Sequence, residues 1–251
     1  MRKSWLAMWA LAMGLTGLLA GAPARAQERI DIDASDPPFM HADANGMAAG
    51  FYPELLRQAF ALMNEPVQID AVPWKRAIAE IDAGTAGVAG IYKTQERLQK
   101  YDYSATLLTE KLVVVTRRDR VLRFAGLEDL AGLRIGVIRG WSYGDEFDAM
   151  RAAGRFQAEE VVGDTMNFNK LEAGRLDAVV SIEQGSRKIL AAGHFPSLQV
   201  LPVPLAMKTA HLAFSRAQHK GALLARFDAA VEALRRSGEF DRLVERHLAQ
   251  P

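Results

Sequence analysis

The 251-residue sequence contains no cysteine. That excludes a disulfide, a metal–thiolate site, a redox pair and a cysteine nucleophile. It also excludes a lipoprotein anchor, which is attached to a Cys at the cleavage site. Histidine is scarce: His41, His194, His211, His219 and His247 are the five. No two stand at i,i+4 or at a metal-ligand spacing, so no metal site is expected, and no cofactor. Long apolar runs are scarce too. Beyond residues 5–19 nothing approaches the roughly 20 residues that span a bilayer. Repeats, low-complexity tracts and heptads are missing.

What is present begins with a leader. Arg2 and Lys3 form a positive end, residues 5–19 are apolar and almost uncharged, and Ala24-Arg25-Ala26 is a small-x-small cleavage pattern. Residues 1–26 therefore read as a secretory signal peptide. The mature chain is expected to be soluble and exported. Its 28 basic and 30 acidic residues give a net charge of −2. Such a balance supplies no drive toward nucleic acid or anionic membrane. Nearly half of all residues are apolar, enough for a substantial core.

Periodicity then divides the chain. Residues 29–34 (RIDIDA) alternate as a strand, and Asp36-Pro37-Pro38-Phe39 ends it because proline cannot pair in a ladder. Asn45-Gly46 signals a turn. A helix follows from Tyr52, with Leu55, Leu56, Ala59, Phe60 and Met63 on one face. Residues 67–72 form a strand, Pro73 opens a second helix that ends before Gly84, and residues 86–91 form a third strand. This is β-α-β-α-β, an α/β layer with a parallel sheet. Strands at 112–116, 134–138, 161–162, 178–182 and 198–203 give a second set, with helices at 165–176 and 183–192. Ser142 is the expected N-cap of a helix opening at Gly140-Trp141-Ser142. Residues 211–215 are extended. Two amphipathic helices, residues 222–234 and the last around Phe240, Leu243, Val244 and Leu248, need a surface to cover and are expected to return to the first lobe.

The segment GIYKTQER, residues 90–97, carries the first functional signal. It follows a strand end and turns polar. Arg97 offers a planar fork of donors that matches a carboxylate and stays charged near neutral pH. Thr94 is the candidate cap of the helix that starts there, whose free N–H groups favour an anion. In parallel sheets ligands sit outside the carboxyl ends of the strands. Asp36, Trp74 and Tyr92 also lie just after strands, so they and the Arg97 segment are expected on one rim.

The mature chain resembles the periplasmic solute-binding proteins of amino-acid ABC importers, family 3 of the extracellular solute-binding proteins. The resemblance rests on motifs in order: DPPF (36–39), the NG turn and Gly50-Phe51, VPW (72–74), GIYKTQER (90–97), YDYSATLL (101–108), GLEDLAGLRIGVIRGWS (126–142), LEAGRLDAVVS (171–181) and SGEFDRLVERHL (237–248). It implies an α/β, two-lobed, periplasmic-binding-protein-like fold of type II. Each lobe would hold a central, mostly parallel sheet flanked by helices, with two hinge crossings near 114–117 and 205–210. Lobe 1 would comprise 27–114 and 207–251, and lobe 2 residues 115–206.

The same resemblance implies ligand-binding residues. The carboxylate-binding arginine falls on Arg97 and the apolar wall on Trp74. The hydroxyl–amide pair falls on Trp141 and Ser142, the small Ser or Thr position on Tyr92, and the covering aromatic on Asp36. Gly90 belongs to the same segment. The second-lobe carboxylate that usually holds an ammonium falls on Ile182, so Asp36 or Glu183 is the candidate replacement. Bland roles stand beside these: core for Trp74, a loop aromatic for Tyr92, an Asx turn for Asp36, solvent or cleft for Arg76. The implied function is a periplasmic binding component of an ABC-type importer. It would take a small carboxylate-bearing solute by lobe closure, as a monomer, with a membrane permease as partner and no catalytic residues. Two alternatives remain: a cyclohexadienyl (prephenate- or arogenate-type) dehydratase on the same scaffold, and a ligand-sensing accessory protein.

Overall fold

The computed structural model describes residues 27–120 and 122–249; the expected leader, residues 1–26, lies outside the described residues. The first lobe opens with β1 (Glu28–Asp33). A small antiparallel sheet follows, β2 (Ser35–Asp36), β3 (Met40–Ala42) and β4 (Ala48–Ala49). Then come α1 (Phe51–Leu62), β5 (Val67–Val72), α2 (Trp74–Asp82), β6 (Gly87–Tyr92), α3 (Gln95–Lys100) and β7 (Tyr101–Tyr103). A ten-residue strand, β8 (Leu108–Arg117), leads to the second lobe: β9 (Arg134–Ile138), α4 (Asp145–Ala152), β10 (Gln157–Val161), α5 (Asp164–Glu172), β11 (Ala178–Ile182), α6 (Glu183–Ala191) and β12 (Leu198–Val200). The chain returns along β13 (Ala206–Ser215) and closes with α7 (Gly221–Arg236) and α8 (Glu239–Leu248).

β1 pairs in parallel with β5 and β6, and β9 with β10 and β11. These are the two parallel layers read from the alternating pattern. β8 and β13 join them into one curled sheet of order β10-β9-β11-β8-β13-β6-β1-β5. They run antiparallel, Leu108 against Ala210 and Leu112 against Ala206. Val113 to Val115 already pair with β11. β8 thus passes from pairing with β13 to pairing with β11 at Leu112–Val113.

Three local expectations change. β13 is ten residues long and lies inside the sheet, where periodicity reads only residues 211–215 as extended. β10 starts at Gln157 because an edge strand keeps polar residues on its exposed face. α4 starts at Asp145, with Gly144 (φ 115°) at its N-cap, so Ser142 is not a cap. The Ser142 hydroxyl instead donates to Asp148 and accepts the Gly144 N–H at 3.2 Å.

The core explains the closing helices. α7 and α8 pack on α1, with Phe227 5.8 Å from Phe60 and Phe240 edge-on to Phe51 at 5.7 Å. Their apolar faces are thereby withdrawn from water, each large side chain contributing about 1.5–3 kcal/mol. The two closing helices thus pack on a first-lobe helix, the kind of surface their amphipathic pattern calls for. The second lobe has a smaller core of its own around Val115, Phe168, Leu171, Val179 and Phe195.

Candidate functional site

The chain leaves β1 into the β2–β4 turn region, β5 into α2 and β6 into α3. Asp36 follows β1 by one turn. There the side chain of Asp33 accepts both the N–H (2.9 Å) and the hydroxyl (2.8 Å) of Ser35. The Asx turn considered for Asp36 is thus made by Asp33. Trp74 is the first residue of α2, behind Pro73, whose backbone is extended. Gly90 takes φ 78°, and a Cβ there would lie 2.6 Å from the Met40 methyl. Only glycine accepts both that backbone and the close approach of Met40. Tyr92 closes β6. Thr94 caps α3 by accepting the Arg97 N–H at 3.1 Å. With six residues, α3 adds little dipole, and the guanidinium is the site's real charge.

Asp36, Trp74, Gly90, Tyr92, Arg97, Trp141 and Ser142 line one space between the lobes, together with Met40, Glu110 and Ile182. Trp74 and Trp141 come from opposite lobes and meet edge-to-face, ring centres 6.3 Å apart. The enclosed volume is ≈ 10 Å³. That is about the room of one water molecule. A larger molecule requires the lobes to part. Glu183 is not among the lining residues. It pairs with Lys111 at 2.8 Å and Arg187 at 2.8 Å, which hold its carboxyl below the usual range. Arg76 is exposed and paired with Glu80 at 2.6 Å. It faces a separate groove beside Trp74 and Arg139.

Arg97 makes no salt bridge among the described residues. Its Nη1 donates to the Tyr92 carbonyl at 3.2 Å. Burial lowers its pKa, and the neighbouring phenols of Tyr103 and Tyr101 act in the opposite sense. On its outer side it borders a groove of ≈ 350 Å³ with Ser142, Asp148 and Arg151. A guanidinium so placed has free donors and a route for an anion to reach them.

Two acids, Asp36 and Glu110, line the same space. Glu110, on β8, is 2 % exposed, and the hydroxyls of Tyr52 and Tyr92 donate to its two carboxylate oxygens. Burial pushes its carboxyl up to about 7 against those two bonds. Asp36 is raised well above the ordinary carboxylate value, first by burial and then by Glu110, Asp33 and Asp164. Its Oδ2 is buried without a hydrogen-bond partner.

A latch spans the lobes nearby. The Trp141 indole N–H donates to Asp33 Oδ2 at 2.8 Å. The Ser35 hydroxyl, whose one proton is directed either to Asp33 or to the Val162 carbonyl, lies against that carbonyl, and the Gln95 N–H donates to Asp145 Oδ1 at 3.1 Å. Sequence reasoning passed over Asp33, Met40 and Glu110. A glutamate interrupting an otherwise strand-forming run, LTEKLVVVT, is the signal that points to Glu110, because a charge inside a buried strand needs dedicated partners.

Among the described residues no cluster of His, Cys, Asp and Glu is arranged to hold a metal, and no helix is long and apolar enough to cross a membrane.

Comparison with known proteins adds the family. The model of the bacterial extracellular solute-binding proteins, family 3, matches residues 29–250. A probable histidine-binding protein of Neisseria gonorrhoeae is 24% identical over 268 residues, covering 99% of this chain and 96% of the relative. Among solved structures, a histidine kinase sensor domain similar to periplasmic binding proteins superposes with a TM-score of 0.79 at 23% identity, over 91% of this chain and 99% of that one. An ancestral arginine-binding protein bound to arginine gives 0.78 at 21% identity, over 90% and 100%. These two share the fold, the two-lobed type II arrangement. With the family model matched over nearly all the described chain, the protein belongs to the bacterial extracellular solute-binding proteins of family 3.

Proposed function

We propose that the protein binds a small carboxylate-bearing solute, an amino acid or close analogue, between its lobes in the periplasm and delivers it to the permease of an ABC importer. The observation that carries this reading is Arg97. A guanidinium sits at the lobe junction with one carbonyl contact and no carboxylate partner among the described residues. Leaving such a charge half-desolvated is costly unless something acidic arrives. A ligand carboxylate satisfies the fork bidentately. Trp74 and Trp141 supply flat apolar walls from either side. Binding then favours the closed form, because only there does the ligand touch both lobes. The names of the relatives support the ligand class: one is called a histidine-binding protein and another was solved with arginine.

The test is a thermal-shift and calorimetric panel of amino acids and small carboxylates on the chain from Gln27 onward, compared with Arg97→Ala. A ligand at about 100 times its Kd adds roughly 2.7 kcal/mol to stability. Arg97→Ala is expected to weaken the hit by about 100-fold, the loss of a charge-assisted bidentate contact. A hit that stabilises both proteins equally overturns the reading. Product formed from prephenate or arogenate by the same preparation would replace it with the dehydratase alternative.

A further inference from the structure

The lobes also meet away from Arg97, along a seam of acids. A Cβ at Gly163 would lie 3.3 Å from the Ser35 carbonyl oxygen, and one at Gly185 3.3 Å from that of Pro37. β2 and the turn after it therefore press directly on the starts of α5 and α6. A groove of ≈ 330 Å³ runs along this seam, lined by Asp36 and His41 from the first lobe and by Asp164 from the second. Asp36 Oδ2, His41 Nδ1 and Asp164 Oδ1 are all buried without a hydrogen-bond partner. The charged groups acting on Asp36 are Glu110, Asp33 and Asp164, and Asp33 acts on Asp164 too, beside the Ser181 hydroxyl and the Asn167 amide. All are acids. The phenols of Tyr52, Tyr92 and Tyr143 stand close to Asp36 as well. Arg151, near Tyr143, pairs with Asp148, and on α6 Arg187 pairs with Glu183. His41 is lowered first by burial and then by His247 and Lys188, against Asp43, so it supplies no cation at neutral pH.

We propose that closing of the lobes takes up protons at Asp36 and Asp164, so that acid favours the closed form whatever solute lies in the cleft. When the lobes part, Asp164 leaves Asp33 and Asp36, and the two orphan oxygens regain water. Closing strips that water and brings like charges together where no cation offsets them. The seam tolerates this once a carboxylate gains a proton, which also gives it an O–H to donate. Burial raises both groups in the closed form, Asp164 to about 6 and Asp36 well above its ordinary value. Each closed value thus stands above the open one. The advantage of closing is full below the open value and is lost as pH rises through the closed value.

The test needs no ligand. The sequence has no cysteine, so one engineered pair reports closure. A Cβ at Gly140, on the second lobe, would lie 3.7 Å from that of Lys75 on the first, within disulfide reach. In Lys75→Cys/Gly140→Cys, the effective concentration of the two thiols against glutathione measures the closed population however rare it is. It is read from pH 5.5 to pH 8, with equilibrium approached from the oxidised and the reduced side. The same pair placed in Asp36→Asn/Asp164→Asn cancels the titration of the thiols and the strain of a cysteine at Gly140, whose φ is 79°. For a group with an open value of about 4 and a closed value of about 6, linkage gives roughly fourfold between the two pH limits, and Asp36 adds to it. The protein with both acids is therefore expected to close at least about fourfold more readily at pH 5.5 than at pH 8, relative to the Asn background. Identical pH profiles in the two backgrounds overturn the proposal. Should the double Asn variant not fold, Asp164→Asn alone takes its place, and it must flatten the profile by a measurable part; an unchanged profile there overturns the proposal equally.

Discussion

Replacing Trp141 by phenylalanine tests how closure is stabilised. The substitution keeps an aromatic ring beside Trp74 and removes the indole N–H that reaches Asp33 from the other lobe, 2.8 Å away. Asp33 is 1 % exposed, and its other oxygen accepts from Ser35 within the same lobe. The variant therefore loses a single interlobe bond and does not strip the carboxylate of all partners. A hydrogen bond to a charged group is worth about 1.5–3 kcal/mol. Because the bond exists only while the lobes meet, that energy acts on the closing equilibrium and not on the folding of either lobe. A shift of this size changes the open-to-closed ratio by a factor of about 10–150. Where closed molecules are the minority, apparent affinity falls in proportion. Small-angle scattering reports the open fraction, and calorimetry with the ligand found in the panel reports the affinity. Asp33→Asn keeps a neutral acceptor and is expected to show a smaller effect of the same sign. The double variant should cost less than the sum of the two, since both remove one contact. Unchanged scattering and affinity in Trp141→Phe, or full additivity with Asp33→Asn, would refute the latch.

Two further expectations concern protons. Asp177 accepts from Arg134 at 2.9 Å and through its backbone N–H at 2.8 Å, and it also pairs with Arg120; Arg134 first of all holds it down to about 2. Its folded value lies below the unfolded one, so the stabilisation is present above about pH 4 and disappears as pH falls toward 2. Asp177→Asn should cost on the order of 2 kcal/mol in urea unfolding at pH 7 and almost nothing near pH 2; an equal cost at both would contradict the ion pairing. Glu110 is the opposite case, with burial raising it to about 7. The folded form binds the extra proton, so stability is full below about pH 4.5 and is lost as pH rises through 7. Glu110→Gln should therefore gain on wild type between pH 5 and pH 8, by up to ~3 kcal/mol. A constant difference in melting temperature across that range would show that Glu110 is not buried as described.

Much of this architecture is readable in one dimension. Residues 134–138 and 178–182 are short apolar runs, and they form strands with those bounds. The face carrying Leu55, Leu56, Ala59 and Phe60 identifies α1, and all four are fully buried. Pro73 and Gly84 bracket α2 because proline lacks an N–H that only a helix start can spare, and glycine accepts the left-handed φ of 69° just beyond the helix end. These features are local, set by side-chain period and backbone sterics, so the order of residues is sufficient. The candidate site is partly local too: Asp36, Trp74, Tyr92 and Arg97 each follow a strand, and the strands of a parallel sheet share a rim.

Pairing between distant segments is another matter. That Val113 joins β11 and not β13, that Glu110 faces two tyrosines from α1 and β6, and that Asp33 meets an indole 108 residues away follow from no local pattern. Glu183 shows the limit most plainly. In sequence it stands next to the position where a ligand-binding carboxylate is sought, yet Lys111 on the crossing strand and Arg187 one turn along α6 draw it out of the cleft. Composition and period dictated the two layers and the places of Asp36, Trp74, Tyr92 and Arg97 after strand ends, because those depend on each segment's own surface. Which acid stays unpaired in the cleft was settled by the packing of the lobes, because a carboxylate is free or engaged only relative to partners that the fold brings from far along the chain.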